Sequence, residues 1–407
     1  MKKGIIAVGL LASVAVIPTA APAKRAAAPA LRLERVVMLM RHGIRPPTSA
    51  TPAPKGYTSE TWPSWSVDYG LLTERGAAGV KLLGAADRQY FDRAGLTKRG
   101  CPSITLIASG KQRAIRTAES WATGFMPGCT ASVTHPGDND PDPIFHGFDD
   151  APASFDGQRA YRESLAMAPK GGIDAETRNF RGELTIMARV LSCKLPACPI
   201  PTTPTTLTAR DHDRPDMKGP LDSGSTISQT FLLEYLEGKP MKDVGWGRIT
   251  PAEITRLLRF HPLKFKYSNR PTYIAVRAAA PLASEMVKAL TDPSGTPVTL
   301  LAGHDTNIAD MGGFFQLHWA VPSYPADDVP PGSAVGFELL KAANGTRYVR
   351  AFYRAQTMDQ LRYQRVLTGA QGPFRQYLPI PGCGNAVTAT ACRLDSFKAL
   401  VARRAQG

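Results

Sequence analysis

Val36-Val37-Met38-Leu39-Met40-Arg41-His42-Gly43-Ile44-Arg45-Pro46-Pro47-Thr48 is the stretch that decides the fold. Its first five residues are apolar without alternation, which predicts a strand buried on both faces, as in a mostly parallel sheet covered by helices. The run then breaks into two arginines, a histidine and two prolines. The same pattern recurs twice. Ile104 to Ala108 leads into Ser109-Gly110-Lys111-Gln112-Arg113, and Val298 to Ala302 leads into Gly303-His304-Asp305-Thr306-Asn307. Helices are predicted after these two runs, at Arg113 to Phe125 and Asn307 to Phe315. Thr250-Pro251-Ala252-Glu253 is a capping box with proline at the first helical position, so a helix is predicted through Arg259. Another is predicted from Ala278 to Leu290, with Pro281 near its start. Ala334 to Leu340 and Tyr348 to Tyr353 read as later strands.

Ligands of open α/β sheets bind beyond the carboxyl ends of the strands. If the three strands are neighbours, their ends gather Arg41, Arg45, Arg113, His42, His304 and Asp305. Guanidinium groups give planar, bidentate contacts suited to phosphate oxygens, and the helix beginning at Asn307 adds positive potential for an anion. Like charge from two arginines disfavours the imidazolium form of His42, and a neutral imidazole nitrogen is a competent nucleophile toward phosphorus. Asp305 can then protonate a departing alkoxide. The set fits phosphoryl transfer through a phosphohistidine, with no metal and no cofactor. Arg116, three residues after Arg113, is the alternative third arginine. His135, His146, His212, His261 and His318 lack such motifs and read as ordinary structural or surface residues.

The wider composition agrees. The chain has 407 residues, enough for two lobes, and 43% apolar residues, which excludes general disorder. Its formal net charge of +15 favours anionic partners. Lys2 and Lys3, the apolar run Gly4 to Ile17 and Ala21-Pro22-Ala23 read as a secretory signal over residues 1–23, cleaved near Ala23. The mature protein is then expected to be periplasmic or secreted, with no membrane contact. Charge changes sign along the remainder: net +9 over residues 24–130, −5 over 131–245 and +9 over 246–407. This pattern, with the proline-rich irregular segments of the middle third, predicts a core of 24–130 and 246–407 with an inserted cap of 131–245. The six cysteines allow 15 pairings. Proximity in sequence favours Cys101 with Cys129, Cys193 with Cys198, and Cys383 with Cys392. No basic–aromatic stripe or DNA-binding motif points to nucleic acid, and a monomer acting on a small phosphorylated substrate is expected.

Arg41-His42-Gly43-Ile44-Arg45-Pro46-Pro47 resembles the RHGxRxP signature of histidine acid phosphatases, and Gly303 to Asn307 resembles their second, HD-containing motif. The two motifs stand in order about 260 residues apart. The chain is similar in particular to the bacterial periplasmic group of phytases and glucose-1-phosphatase, including Gly245 to Ile249, the Leu232 to Pro240 stretch and the C-terminal cysteine pair. The resemblance implies an α/β core with a mainly helical cap. It also implies His42 as nucleophile, Arg41, Arg45, Arg113 and His304 as phosphate ligands, and Asp305 as proton donor. Phytases of that group often carry Lys where this chain has Ser49, and Glu where it has Gln229. Candidate substrate contacts are therefore Thr48, Ser109, Lys111, Thr226, Gln229 and Asn307. The alternatives are a phosphomutase or phosphotransferase of the same superfamily, and a non-catalytic phosphate- or polyanion-binding protein.

Overall fold

The computed structural model describes residues 1, 4, 31–97, 100–148, 154–194, 196–384 and 388–406. The expected signal segment 1–23 therefore lies outside the described residues, apart from Met1 and Gly4. From the N-terminal side come β1 (Leu31–Arg41), α1 (Glu74–Arg93), β2 (Ile104–Ala108) and α2 (Gln112–Phe125). The middle of the chain forms α3 (Gly157–Ala166), α4 (Gly172–Asn179), α5 (Arg181–Val190), the hairpin β3 (Thr206–Arg210) and β4 (Asp213–Lys218), and α6 (Pro220–Leu236). Then follow α7 (Pro251–Leu257), α8 (Phe260–Ser268), α9 (Thr272–Thr291), β5 (Val298–Gly303) and α10 (Asp305–Phe315). The chain closes with β6 (Ala334–Ala342), β7 (Arg347–Ala355), α11 (Met358–Arg362), β8 (Phe374–Leu378), β9 (Ala391–Arg393) and α12 (Leu394–Ala405).

One mixed sheet organises the core, in the order β2-β5-β1-β6-β7-β8, with β9 also on β7. The three strands read from continuous apolar runs are the parallel ones, and β5 between them is buried along its whole length. β6, β7, β8 and β9 extend the sheet with antiparallel pairings. Apolar side chains pack on both faces. One cluster, including Met38, Met40, Leu106 and Trp121, lies under α1 and α2. The larger one joins Val37 and Leu39 of β1 to Phe231 of α6, Phe260 of α8 and Met286 of α9, so the middle segment shares a core with the sheet. The cysteines pair as proximity favours: Cys101–Cys129, Cys193–Cys198 and Cys383–Cys392. Among the described residues, no helix is long and apolar enough to cross a membrane.

Three helix boundaries differ from expectation by two residues or more. Helix α7 has the capping box at Thr250 and Glu253 but stops at Leu257. Pro262 lacks an N–H for the Leu258 carbonyl, so the ladder breaks and α8 restarts with that proline in its first turn. Helix α9 starts at Thr272, leaving Pro281 in its interior. Interior proline costs about 3 kcal/mol, and the buried stripe of Ile274, Ala275, Ala278, Ala279, Leu282, Ala283 and Met286 outweighs it. Helix α10 begins at Asp305 rather than Asn307, with His304 as its N-cap residue.

Candidate active site

Strand register builds the site. Arg41 pairs with Gly303, and Met40 and Ala108 both pair with Ala302, so the parallel strands end level. The next residues stay in step: His42 N–H donates to Gly303 O and Ser109 N–H to Ala302 O, each at 3.0 Å. The imidazoles of His42 and His304 consequently face each other edge-on, 5.7 Å between ring centres. Two glycines permit this crowding. A Cβ on Gly43 would stand 2.9 Å from Gly76 O of α1, and one on Gly303 would stand 2.7 Å from both Asn307 Oδ1 and the Phe145 ring.

His42 is almost wholly buried. Its Nδ1 lies 2.9 Å from Gly43 O. A carbonyl can only accept, so Nδ1 carries the hydrogen and Nε2 holds the lone pair. Arg45 Nε–H donates toward that Nε2 at 3.4 Å. Burial holds the imidazole well below its ordinary pKa, and Arg45, Arg41, Arg113 and His304 lower it further. His42 is thus a neutral imidazole with its nucleophilic nitrogen among cations. Burial and the Arg41 and Arg113 guanidiniums pull Arg45 down to about 9, still protonated at neutral pH. Burial likewise lowers His304 to about 3, with Arg113 adding to it, so this ring is neutral too. Its Nε2 sits 3.1 Å from Ser109 Oγ.

Arg41, 1% exposed, is fixed from three directions. Its Nη1 donates to Val329 O, and its Nη2 lies 3.0 Å from Gln229 Oε1 and 2.9 Å from Asp305 Oδ2. Burial would raise the Asp305 carboxyl, but Arg41 and then His261 hold it well below the usual carboxylate range. Its place in the first turn of α10 favours the same ionised form. Buried N–H donors remain without a partner at Arg41 Nε, Arg113 Nε and Gln229 Nε2. Unmatched donors on two guanidiniums of the site are suited to oxygens of an anion.

The other candidates separate. Arg113 is the third arginine beside His42, whereas Arg116 pairs with Glu74 at 3.0 Å on the surface. Thr48, Lys111 and Arg113 line a cavity of about 660 Å³ with Arg116, His135 and Asp138. Lys111 there is bonded to the Asp138 carboxylate at 3.1 Å. Ser109 is fully buried against His304, and Gln229 binds Arg41. Thr226 is exposed on α6, one turn before Gln229, and lines neither that cavity nor the second one described below. Asn307 lines the second cavity described below, with its amide held in place: its Oδ1 accepts from His304 N–H at 2.9 Å and its Nδ2 donates to Phe145 O at 2.6 Å. It shapes the turn that carries His304 and Asp305.

Two histidines set aside in the sequence stand at the site. His146 stacks on His304 at 5.8 Å and lines a second cavity of about 670 Å³ with Arg214, Thr306 and Asp310. His261 of α8 places Nε2 3.6 Å from Asp305 Oδ2 and Nδ1 2.6 Å from Asp328 Oδ1. Neither lies in a motif, and no local signal marks them: the packing of α8 and of the loop bearing Phe145 brings them in. Among the described residues, no group of three or more His, Cys, Asp and Glu side chains is placed to hold a metal ion.

Fold and site together define an α/β phosphoryl-transfer enzyme. Residues 32–158 match the model of the histidine phosphatase superfamily (branch 2). The chain is 30% identical to phytase AppA of Escherichia coli K12, over 92% of each protein. It is 30% identical to glucose-1-phosphatase of Salmonella typhimurium, over 98% of each. The structure of Hafnia alvei phytase in complex with tartrate superposes with a TM-score of 0.85 at 30% identity, covering 94% of this chain and 98% of that one. The chain belongs to the histidine phosphatase superfamily, branch 2, and is a phosphomonoester hydrolase of its histidine acid phosphatase family.

Proposed function

We propose that the protein is an exported acid phosphatase that hydrolyses small phosphate monoesters by two in-line displacements, without a metal. In the first, His42 Nε2 attacks phosphorus while Arg41, Arg45, Arg113 and His304 hold the phosphoryl oxygens, and Asp305 protonates the departing alcohol. In the second, water attacks the phosphohistidine and Asp305 takes its proton. The observation that carries this reading is the lone pair of a neutral His42 beside three guanidiniums, with one carboxylate tied to Arg41. The guanidiniums supply the positive charge that a metal supplies elsewhere.

Residues 131–245 form a cap over a core of 24–130 and 246–407 in this reading. Its α6 delivers Gln229 to Arg41, and the two cavities beside the site have the size of small-ligand pockets. A sugar phosphate or an inositol phosphate fits that class, and the relatives include enzymes named for both. Three disulfides support export to an oxidising compartment.

A phosphate-release panel of phytate, sugar phosphates, nucleotides and an aryl phosphate between pH 3 and 7, with and without a chelator, tests the reading. His42→Ala should lower turnover by roughly 10⁴-fold or more and abolish a trapped phosphoenzyme. Undiminished turnover in that variant, or activity that requires an added divalent ion, refutes the mechanism.

A further inference from the structure

Asp305 presents a chemical difficulty. An acid that protonates an alkoxide must hold a proton, yet this carboxylate lies 2.9 Å from Arg41 Nη2 and starts a helix, two features that favour its ionised form. The structure places a second group where a proton can be kept. His261 is 4% exposed and stands between two carboxylates, Asp328 on Nδ1 at 2.6 Å and Asp305 on Nε2 at 3.6 Å. Two carboxylates, one at hydrogen-bond distance on Nδ1 and one at ion-pair distance from Nε2, favour the imidazolium form, which has a hydrogen on each ring nitrogen.

Asp328 is itself fixed. Its side chain is buried, its Oδ1 also accepts from Val329 N–H at 2.8 Å, and its backbone carbonyl accepts from Trp319 Nε1 at 2.6 Å. The charged and titratable groups facing this chain are Arg41 and His42 at the end of β1, Asp305 of α10, Tyr324 and Asp328 in the loop before β6, and Tyr353 of β7. On α8 itself the close neighbour is the Phe265 ring, which does not titrate. Both tyrosines are raised above their ordinary range, chiefly by burial, and stay neutral. His42 is also neutral, being lowered by burial and the arginines. Burial would lower His261, but its bonds to Asp305 and Asp328 raise it.

Resting on the reading of Asp305 as the proton donor, we propose that His261, held by Asp328, is a positioning residue that stores the proton Asp305 delivers to the leaving group. With phosphate on Arg41, the His261 Nε2–H bond breaks as an Asp305 O–H bond forms. His261 is left neutral, with Nδ1–H still on Asp328. The same proton passes to the alkoxide as the P–O bond breaks and the His42 N–P bond forms. In the second displacement, water gives oxygen to phosphorus and a proton to Asp305, the N–P bond breaks, and Asp305 returns the proton to His261. One water is consumed, one alcohol and one phosphate leave, and the imidazolium is restored.

The test compares kcat and its pH profile on glycerol 2-phosphate and on 4-nitrophenyl phosphate, whose leaving group needs little protonation. His261→Gln retains a donor toward Asp305 but cannot carry a mobile proton. It should lose about tenfold or more in kcat on the alkyl ester and less than about threefold on the aryl ester. Its alkaline limb on the alkyl ester should move down by about one pH unit or more. Asp328→Asn should shift that limb the same way, and it carries the test should His261→Gln fail to fold by circular dichroism. An unmoved limb, or equal losses on both esters, overturns the proposal. Asp305→Asn separates the two readings. If it spares the aryl ester while His261→Gln behaves as wild type, only the proton store is wrong. If it slows both esters equally, the donor role of Asp305 fails and this proposal falls with it.

Discussion

Gln229→Glu puts a second carboxylate on the nitrogen that already holds Asp305. Arg41 Nη2 is 3.0 Å from Gln229 Oε1 and 2.9 Å from Asp305 Oδ2, so oxygens at those two positions are at most about 6 Å apart. Gln229 is 8% exposed and the Asp305 side chain 19%, so solvent screens the pair only in part. Two unit charges at that distance, with an effective dielectric near 20, repel by about 3 kcal/mol, or about two pK units. The sign follows from what the new charge opposes. Arg41 and His261 hold Asp305 well below the usual carboxylate range, and a neighbouring negative charge raises it. A group that must be protonated to act is active below its pKa, so the alkaline limb of kcat should move upward. The same charge partly neutralises Arg41, so KM for a phosphate ester should rise by about tenfold or more. Initial rates of phosphate release from pH 3 to 8, fitted separately for kcat and kcat/KM, measure both effects. A limb that stays in place or moves to lower pH, with the protein folded, refutes the electrostatic account of Asp305.

Two further predictions concern stability. Glu234 is fully buried, with one oxygen on Gly245 N–H and the other without a partner, and burial raises its carboxyl to about 8. The unfolded chain releases this proton near the ordinary value of 4.5 and the folded chain does not, so the group destabilises the fold progressively between those pH values. Glu234→Gln should therefore gain stability relative to wild type on going from pH 4 to pH 8 in urea unfolding, and a constant difference would contradict the argument. Asp87 accepts from Arg354 Nη2 and Trp121 Nε1, both at 2.9 Å, and both ionic side chains are excluded from water. Asp87→Leu strands the guanidinium and should cost about 3–5 kcal/mol. A loss below about 1 kcal/mol would show that Arg354 finds another partner.

What could be read from the residues alone is what depends on neighbours in the chain. The runs Val36 to Met40, Ile104 to Ala108 and Val298 to Ala302 are apolar on both faces, so they announce strands β1, β2 and β5 wherever they sit. Arg41, His42, Arg45, His304 and Asp305 follow those strands directly, which made their chemistry legible as motifs. The disulfides close short segments, and the capping box at Thr250 lies within four residues. What spans the fold was not legible. Level strand ends, set by the pairing of Arg41 with Gly303, decide that His42 and His304 face each other. Only the packing of α2 sets Arg113 in the site and turns Arg116 out toward Glu74. Only the approach of α6, α8 and the loop before β6 brings Gln229 to Arg41 and lines up Asp328, His261 and Asp305. Of these, His261 and Asp328 lie on a helix and a loop whose local sequence serves packing, so no periodicity or motif marks them. Their role exists only as a geometry, and burial then gives that geometry its electrostatic strength.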